Sequence, residues 1–167
     1  MSDMSPEDKF AASRHVQAAV GYLGLGMPDE AWNELESIAP QQRALLDVLK
    51  IRLEVCRAMA KWDLMAEIAA HLHATEPDDP SHPIDLAHAI RRIHGEKEAV
   101  AVLENVRHRF PQEALLPYNL ACYRAVTGNI AEAKLLLAEA FSMDASLRIT
   151  SLDDPDLVGV WDSFQEA

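Results

Sequence analysis

The sequence has few cysteines, and their spacing excludes two kinds of small fold. Cys56 and Cys122 are the only two in 167 residues, and neither belongs to a Cys-x-x-Cys pair or to a Cys/His cluster with zinc-ligand spacing. A disulfide framework or a structural zinc site would need more cysteines at closer intervals. This usage favours a reducing compartment, so we expect a cytoplasmic protein.

Positive charge is also scarce. The chain carries 15 Lys and Arg against 27 Asp and Glu, which gives a formal net charge of −12. A protein that grips a phosphate backbone needs a basic surface. We therefore expect no nucleic-acid partner.

Long apolar runs are missing, and we expect no secretory leader in the first residues. The longest stretch without a charged residue covers residues 15–28 and includes three glycines and a proline, so it is too short to span a bilayer. Residues 1–10 contain three acids, where a signal peptide needs basic residues followed by an apolar run. We expect no membrane partner.

Motifs for catalysis or metal binding are absent from the sequence. There is no Gly-x-Ser-x-Gly, His-Glu-x-x-His or glycine-rich phosphate loop, the patterns that mark common catalytic centres. His71 and His73 lie on different faces of a helix. His82, His88 and His94 follow at six-residue steps, each about 240° of helical rotation. These spacings do not converge on a metal ion, so we expect no catalytic site, no metal and no cofactor.

The chain does contain an internal repeat with a period of 34 residues. Segments that start at residues 12, 46, 80 and 114 align without a gap. Four offsets keep their chemistry, with mostly alanine at the eighth and twentieth positions and apolar residues at the twenty-fourth and twenty-seventh. The sixteen positions are Ala19, Leu53, Ala87, Ala121, Ala31, Met65, Ala99, Ala133, Leu35, Ala69, Leu103, Leu137, Ile38, Leu72, Val106 and Ala140. The last three offsets are four and three residues apart, which places them on one helix face. Each segment therefore predicts two helices.

Turn residues divide the segments at the same places. Gly26, Gly95 and Gly128 fall at or next to the midpoints of the first, third and fourth segments, where a tight turn needs a residue that tolerates positive φ. The second segment has Ala60-Lys61 there instead and is the weakest match. With 49% apolar and 25% charged residues, the chain has the composition of one globular domain.

In this period and pattern the chain resembles a tetratricopeptide repeat (TPR) protein. The best stretch covers residues 118–140, through Leu120, Ala121, Gly128, Ala133, Leu137 and Ala140, and the first unit matches through Ala19, Tyr22, Gly26, Ala31 and Leu35. The resemblance implies a single all-α domain over residues 1–167, a right-handed solenoid of stacked antiparallel helix pairs. The expected repeats are about 12–45, 46–79, 80–113 and 114–147.

The two ends are expected to cap this array. Ser5-Pro6-Glu7-Asp8 has the residues that begin a helix, so we expect a helix start within residues 5–11. Asp153-Asp154-Pro155-Asp156 is a similar start signal, followed by Leu157, Val160, Trp161 and Phe164 at helical spacing. We expect a C-terminal cap over residues 148–167. The pattern favours a cap over a docking segment for a partner, because the last helix pair needs its apolar face covered.

The resemblance also implies which surface binds a ligand, because the first helix of each pair lines the concave groove of such a solenoid. The first-helix ranges carry seven basic and three acidic residues, whereas the second-helix ranges carry five basic and thirteen acidic residues. The groove offsets of the family give the candidate site Lys50, Glu54, Arg57, Ile84, His88, Arg91, Arg92, Tyr118 and Cys122. Arginine forks pair with carboxylates, and tyrosine gives a rigid contact surface.

The sequence thus favours a non-catalytic adaptor or scaffold whose groove binds an extended or helical, acidic protein segment. Replacing Arg91 and Arg92 by Glu is expected to remove partner binding and leave the fold unchanged. One alternative is a structural protein that forms homo-oligomers through its repeats and has no separate ligand. The other is an enzyme whose site is assembled across repeats.

Overall fold

The computed structural model describes residues 6–164, with side chains from residue 11 onward. Over that range the chain is all-α, with ten α-helices, two short 3-10 helices and no strand. Backbone contacts divide the chain into two compact units, one that ends at Glu76 and one that begins at Pro77. The sequence pattern predicts a single domain over residues 1–167 and marks no boundary at this position.

Unit 1 consists of two helix pairs. The helices are α1 (Pro6–Gly24), α2 (Pro28–Glu36), α3 (Leu46–Ala58) and α4 (Trp62–Thr75), with a 3-10 helix at Pro40–Gln42. Helix α1 packs on α2 and α3 packs on α4, while α3 also contacts both helices of the first pair.

Unit 2 has two more pairs followed by a C-terminal segment. Its paired helices are α5 (Ser81–His94), α6 (Glu96–Arg107), α7 (Leu115–Val126) and α8 (Ile130–Met143). The segment after them contains α9 (Leu147–Leu152), a 3-10 helix (Pro155–Leu157) and α10 (Val158–Asp162). Helix α5 packs on α6 and α7 on α8, and α7 also contacts α5 and α6.

The repeat predicts the buried positions of both units. All sixteen residues at the four recurring offsets are buried, and none has more than 9% of its surface exposed. Most of them are wholly enclosed, including the four at the twentieth offset: Ala31, Met65, Ala99 and Ala133. Small side chains at these places let neighbouring helices approach closely, so the recurring alanines are explained by packing.

The C-terminal segment covers the last helix pair, but not as one continuous helix. Leu157 and Val160 are fully buried in the core of unit 2, together with Leu116, Leu120 and Leu137. The 3-10 helix contacts α7, and α10 contacts α7 and α8. Of the four apolar positions expected to cover the pair, Leu157 and Val160 are buried, whereas Phe164 is 60% exposed.

No helix within residues 6–164 combines the length and the apolar character that crossing a membrane would require.

Three of the four helix pairs share one turn geometry. Gly26 and Gly128 have φ of +71° and +84°, and the next residue donates its backbone N–H to the carbonyl five residues earlier. Ala60 occupies the same repeat position with φ of +55°, and Lys61 makes the same bond, to the carbonyl of Cys56, at 2.8 Å. This is the left-handed helix ending that glycine normally supplies. The second helix pair therefore forms this turn with alanine at the position where the first and fourth pairs have glycine.

Ala60→Gly is expected to raise the free energy of unfolding by about 0.5–1 kcal/mol, because glycine has no Cβ to oppose positive φ. The reverse change, Gly128→Ala, should lower it by about 1 kcal/mol for the same reason. Urea denaturation of both variants beside the unaltered chain measures this. A loss of stability in Ala60→Gly would contradict the assigned turn.

Candidate peptide-binding site

The nine predicted site residues lie on the first helix of three pairs. Lys50, Glu54 and Arg57 are on α3 in unit 1, and the others are on α5 and α7 in unit 2: Ile84, His88, Arg91, Arg92, Tyr118 and Cys122. The structure brings Arg91, Tyr118 and Cys122 together around one acidic segment. The two units are considered separately because each forms its own set of contacts.

The basic candidates of unit 1 are paired with acids of the same unit. The Nζ of Lys50 lies 2.9 Å from Oε2 of Glu76, and the Nε of Arg57 lies 3.3 Å from Oε2 of Glu54. These pairs are partly exposed, and such pairs contribute only about 0–1 kcal/mol. They offset the positive charge of α3 without fixing its side chains strongly.

Arg52, a basic residue of α3 that contributed to the charge count, is a packing residue. It is buried, and its Nη1 donates to Oε1 of Glu36 at 2.6 Å. Its guanidinium also lies over the ring of Trp32, 5.0 Å from the centroid. The hydrogen bond from Arg52 is the main reason why the pKa of Glu36 is lowered. The sequence count therefore overstated how much positive charge the first helices offer to a ligand.

In unit 2, Arg91 binds a carboxylate with both ends of its fork. Its Nη1 lies 2.5 Å from Oδ2 of Asp156, and its Nη2 lies 2.9 Å from Oδ1. Its Nε donates to Oε1 of Glu96 at 3.3 Å, and the guanidinium lies 5.1 Å from the ring centroid of Tyr123. The Arg91 side chain is only 16% exposed. Bidentate pairs of this kind are strong and specific in geometry, because two charge-assisted hydrogen bonds form in parallel.

A second carboxylate lies beside the first. The hydroxyl of Tyr118 donates to Oδ2 of Asp154 at 2.8 Å, and Sγ of Cys122 lies 3.5 Å from the same oxygen. The other oxygen of Asp154 accepts the backbone N–H of Asp156 at 3.0 Å, which begins the 3-10 helix. We call Arg91, Tyr118, Cys122 and Tyr123 the Arg91–Tyr118 site, and residues 153–157 the acidic segment.

Burial and the two carboxylates set the protonation of the site. Burial raises the pKa of Tyr118 well above its usual value, and the hydrogen bond to Asp154 raises it further. Burial likewise raises the pKa of Tyr123 to about 12. The hydrogen bond to Asp156 raises the pKa of Arg91. At neutral pH the site therefore presents one cation and neutral hydroxyl donors, a combination suited to carboxylates.

Cys122 lies in the opposite environment from a reactive cysteine. Burial raises its pKa, and the charges of Asp154 and Asp156 raise it further. A nucleophilic or metal-binding cysteine needs a depressed pKa. The possible ligand atoms of Cys122, Asp154 and Asp156 lie within 4.8 Å of one another, a spacing that a metal ion could bridge. Arg91, however, already supplies a positive charge to these carboxylates. The group is accounted for as a hydrogen-bonded cluster.

The other predicted residues of unit 2 lie on α5, the helix that carries Arg91. Ile84 packs against the core, His88 is half-buried and Arg92 is exposed. Because Arg91 holds Asp156, Arg91→Glu would break an internal ion pair as well as alter a binding surface. Reversing both arginines is therefore expected to lower the stability of unit 2, in addition to any effect on partner binding.

Sequence reasoning missed the acidic partners. Asp154 and Asp156 were assigned to a helix start, and Glu96 and Tyr123 were not singled out. Asp156 lies 65 positions from Arg91 along the chain, and no spacing rule joins residues so far apart. Charge complementarity was a usable signal. The first helices are predicted to be basic, and the acidic segment comes after the last repeat in the same chain.

This chain matches no protein-family model and no curated protein.

Two tyrosines of α7 allow a matched test of the site. Tyr118→Phe is expected to lower the free energy of unfolding by about 1–2 kcal/mol, because it removes a hydrogen bond to a charged, partly exposed acceptor. Among the described residues the buried hydroxyl of Tyr123 has no hydrogen-bond partner, so Tyr123→Phe should change stability by no more than about 0.5 kcal/mol. Urea denaturation of both variants decides this, and equal losses would contradict the assigned role of Tyr118.

Proposed function

We propose that this chain is a non-catalytic adaptor of the tetratricopeptide type, which binds an acidic peptide segment on the first helices of unit 2. The partner is a protein segment with closely spaced carboxylates, held by Arg91 and Tyr118 and steered by Arg92. Binding on a scaffold that is already folded limits the entropy lost on association.

One observation carries the proposal. Two residues selected from the sequence as ligand contacts, Arg91 and Tyr118, each bind a carboxylate of the same short segment. The contacts are a bidentate fork and a phenol hydrogen bond, which are those that an acidic peptide would receive. The site therefore has the donors, the spacing and the positive charge that such a ligand needs.

The arrangement of helices gives further support. Helices packed in adjacent pairs, with small buried residues at a constant repeat position, are compatible with a helical repeat protein. The resemblance to tetratricopeptide proteins rests on the 34-residue period and the residues quoted above. Recognition of peptide segments is an expectation from that resemblance, and the contacts of Arg91 add a reason specific to this chain.

Self-association is a second candidate, and one observation favours it. Large apolar side chains are exposed toward the C-terminal end of unit 2, with Leu135 at 74%, Ile149 at 75% and Leu152 at 66%. Exposed apolar patches often mark contact surfaces. A molecular mass in solution that rises with concentration would support this alternative, and a constant monomer mass would exclude it.

Charge reversal on two helices tests the adaptor function. A displayed library of terminally blocked peptides is screened with the unaltered chain, with Arg92→Glu and with Lys97→Glu. Peptides with acidic centres should be enriched, and Arg92→Glu should weaken their binding by about tenfold or more, since a positive charge next to the site becomes negative.

Lys97→Glu is the matched control, because Lys97 is exposed on α6 and the change in net charge is the same. It should retain nearly all binding. Equal losses in both variants would show that only overall charge matters. A library without enrichment of acidic peptides would contradict the proposed ligand class.

A further inference from the structure

We infer that the acidic segment occupies the peptide site in cis, and that the partner carries the same chemistry: two acidic residues separated by one position and followed directly by an aliphatic residue. This inference rests on the proposed function and specifies its ligand. In this chain the motif is Asp154-Pro155-Asp156-Leu157.

Three side chains of the segment are anchored, and each anchor needs a particular chemistry. Asp154 accepts from Tyr118 at 2.8 Å, Asp156 pairs with Arg91 at 2.5 and 2.9 Å, and Leu157 is fully enclosed in the core. Pro155 between them is exposed. The surface that holds the segment therefore selects two carboxylates and one aliphatic side chain. It leaves the residue between the two acids unspecified.

The backbone of the segment adds a constraint on shape. The carboxylate of Asp154 accepts the N–H of Asp156, and Pro155 is the first residue of the 3-10 helix. This turn places both carboxylates toward α5 and α7 while Leu157 enters the core. A peptide with proline between the acids would favour the same turn before binding, which lowers the entropy lost on association.

The elements that flank the segment are short. Helix α9 has six residues and α10 has five, and isolated helices of that length are unstable in water. Ile149 and Leu152 of α9 and Val158 of α10 are exposed. Such short elements with exposed side chains belong to the parts of a protein that open locally at low cost.

Attachment to the same chain makes the segment a strong competitor. A tethered ligand acts at an effective concentration in the millimolar range, so a free peptide with the same contacts binds only in proportion to the open fraction. Weakening the cis contacts should therefore strengthen binding in trans. A permanent structural cap would show no such exchange.

The test uses a fluorescent, terminally blocked peptide with the sequence of residues 152–164 and a control peptide in which Asp154 and Asp156 are replaced by Asn. Fluorescence polarisation measures their binding to the full chain, to D154N/D156N and to D153N/D162N. Asp153 and Asp162 are exposed, so the second variant removes the same charge from the C-terminal part of the chain and keeps the anchors.

D154N/D156N should bind the acidic peptide about tenfold or more tightly than the unaltered chain and D153N/D162N do, and the Asn peptide should bind none of them. Cys122 should also become reactive toward a thiol reagent in D154N/D156N. Cys56, which is buried in unit 1, is the internal control and should stay protected.

Hydrogen exchange on the unaltered chain gives an answer even if D154N/D156N fails to fold. Saturating peptide should remove protection from the amides of residues 156–162, because the cis segment is displaced. Unchanged protection at saturation overturns the inference.

Other outcomes separate the inference from the proposed function. Equal peptide affinity in both Asn variants overturns the cis competition, while an Arg92-dependent library result would leave the adaptor function standing. Absence of peptide binding to every variant overturns the inferred motif. A concentration-dependent dimer of D154N/D156N that exchanges its C-terminal segments would identify a second copy as the occupant and contradict a partner of different sequence.

Discussion

A pair of short amphipathic helices cannot bury its own apolar face, and this constraint determines most of the structure. In each unit the second pair covers the first, with α3 on the first pair in unit 1 and α7 on α5 and α6 in unit 2. The recurring small residues, such as Ala19 and Ala121, permit the close approach that this packing needs. In unit 2, Leu157 and Val160 of the C-terminal segment enter the core beside α7 and α8.

The segment that covers this apolar face also places Asp154 and Asp156 on a partly buried surface, where their charges need partners. Carboxylates removed from water are destabilised unless they are paired. Arg91, Tyr118 and the N–H of Asp156 meet this requirement for Asp156 and Asp154. The same donors would serve a carboxylate from another chain. In the proposed function, structural capping and ligand binding use the same set of contacts, and the balance between them depends on how easily the cis segment opens.

Much of the local structure follows from the sequence, because it depends on neighbouring residues. Periodicity predicts the helix pairs and the buried positions, and glycine marks the turns at Gly26, Gly95 and Gly128. Ala60 shows the limit of that rule, since the turn is specified by its hydrogen bonds and by the helices on either side. The C-terminal segment shows another limit, because capping signals at Asp153 and Asp154 fit a 3-10 helix as well as an α-helix.

The site could be predicted only in part. The offset rule selected Arg91, Tyr118 and Cys122, which do meet in space. It could not select Asp154 and Asp156, because their pairing depends on where the chain returns after α9. It also counted Arg52 as available charge, because burial against Trp32 and pairing with Glu36 are properties of the fold. Contacts between residues far apart in the chain, and the burial of a charged side chain such as Arg52, are not contained in a helical pattern.

Nuclear magnetic resonance of the full chain titrated with a terminally blocked Asp-Pro-Asp-Leu peptide tests the central claim most directly. If the Arg91–Tyr118 site binds acidic segments, the largest shift changes will fall on the amides of Arg91, Tyr118, Cys122, Asp154, Asp156 and Leu157, and an Asn-Pro-Asn-Leu peptide will cause none. Changes confined to other surfaces, or equal responses to the two peptides, would contradict the account.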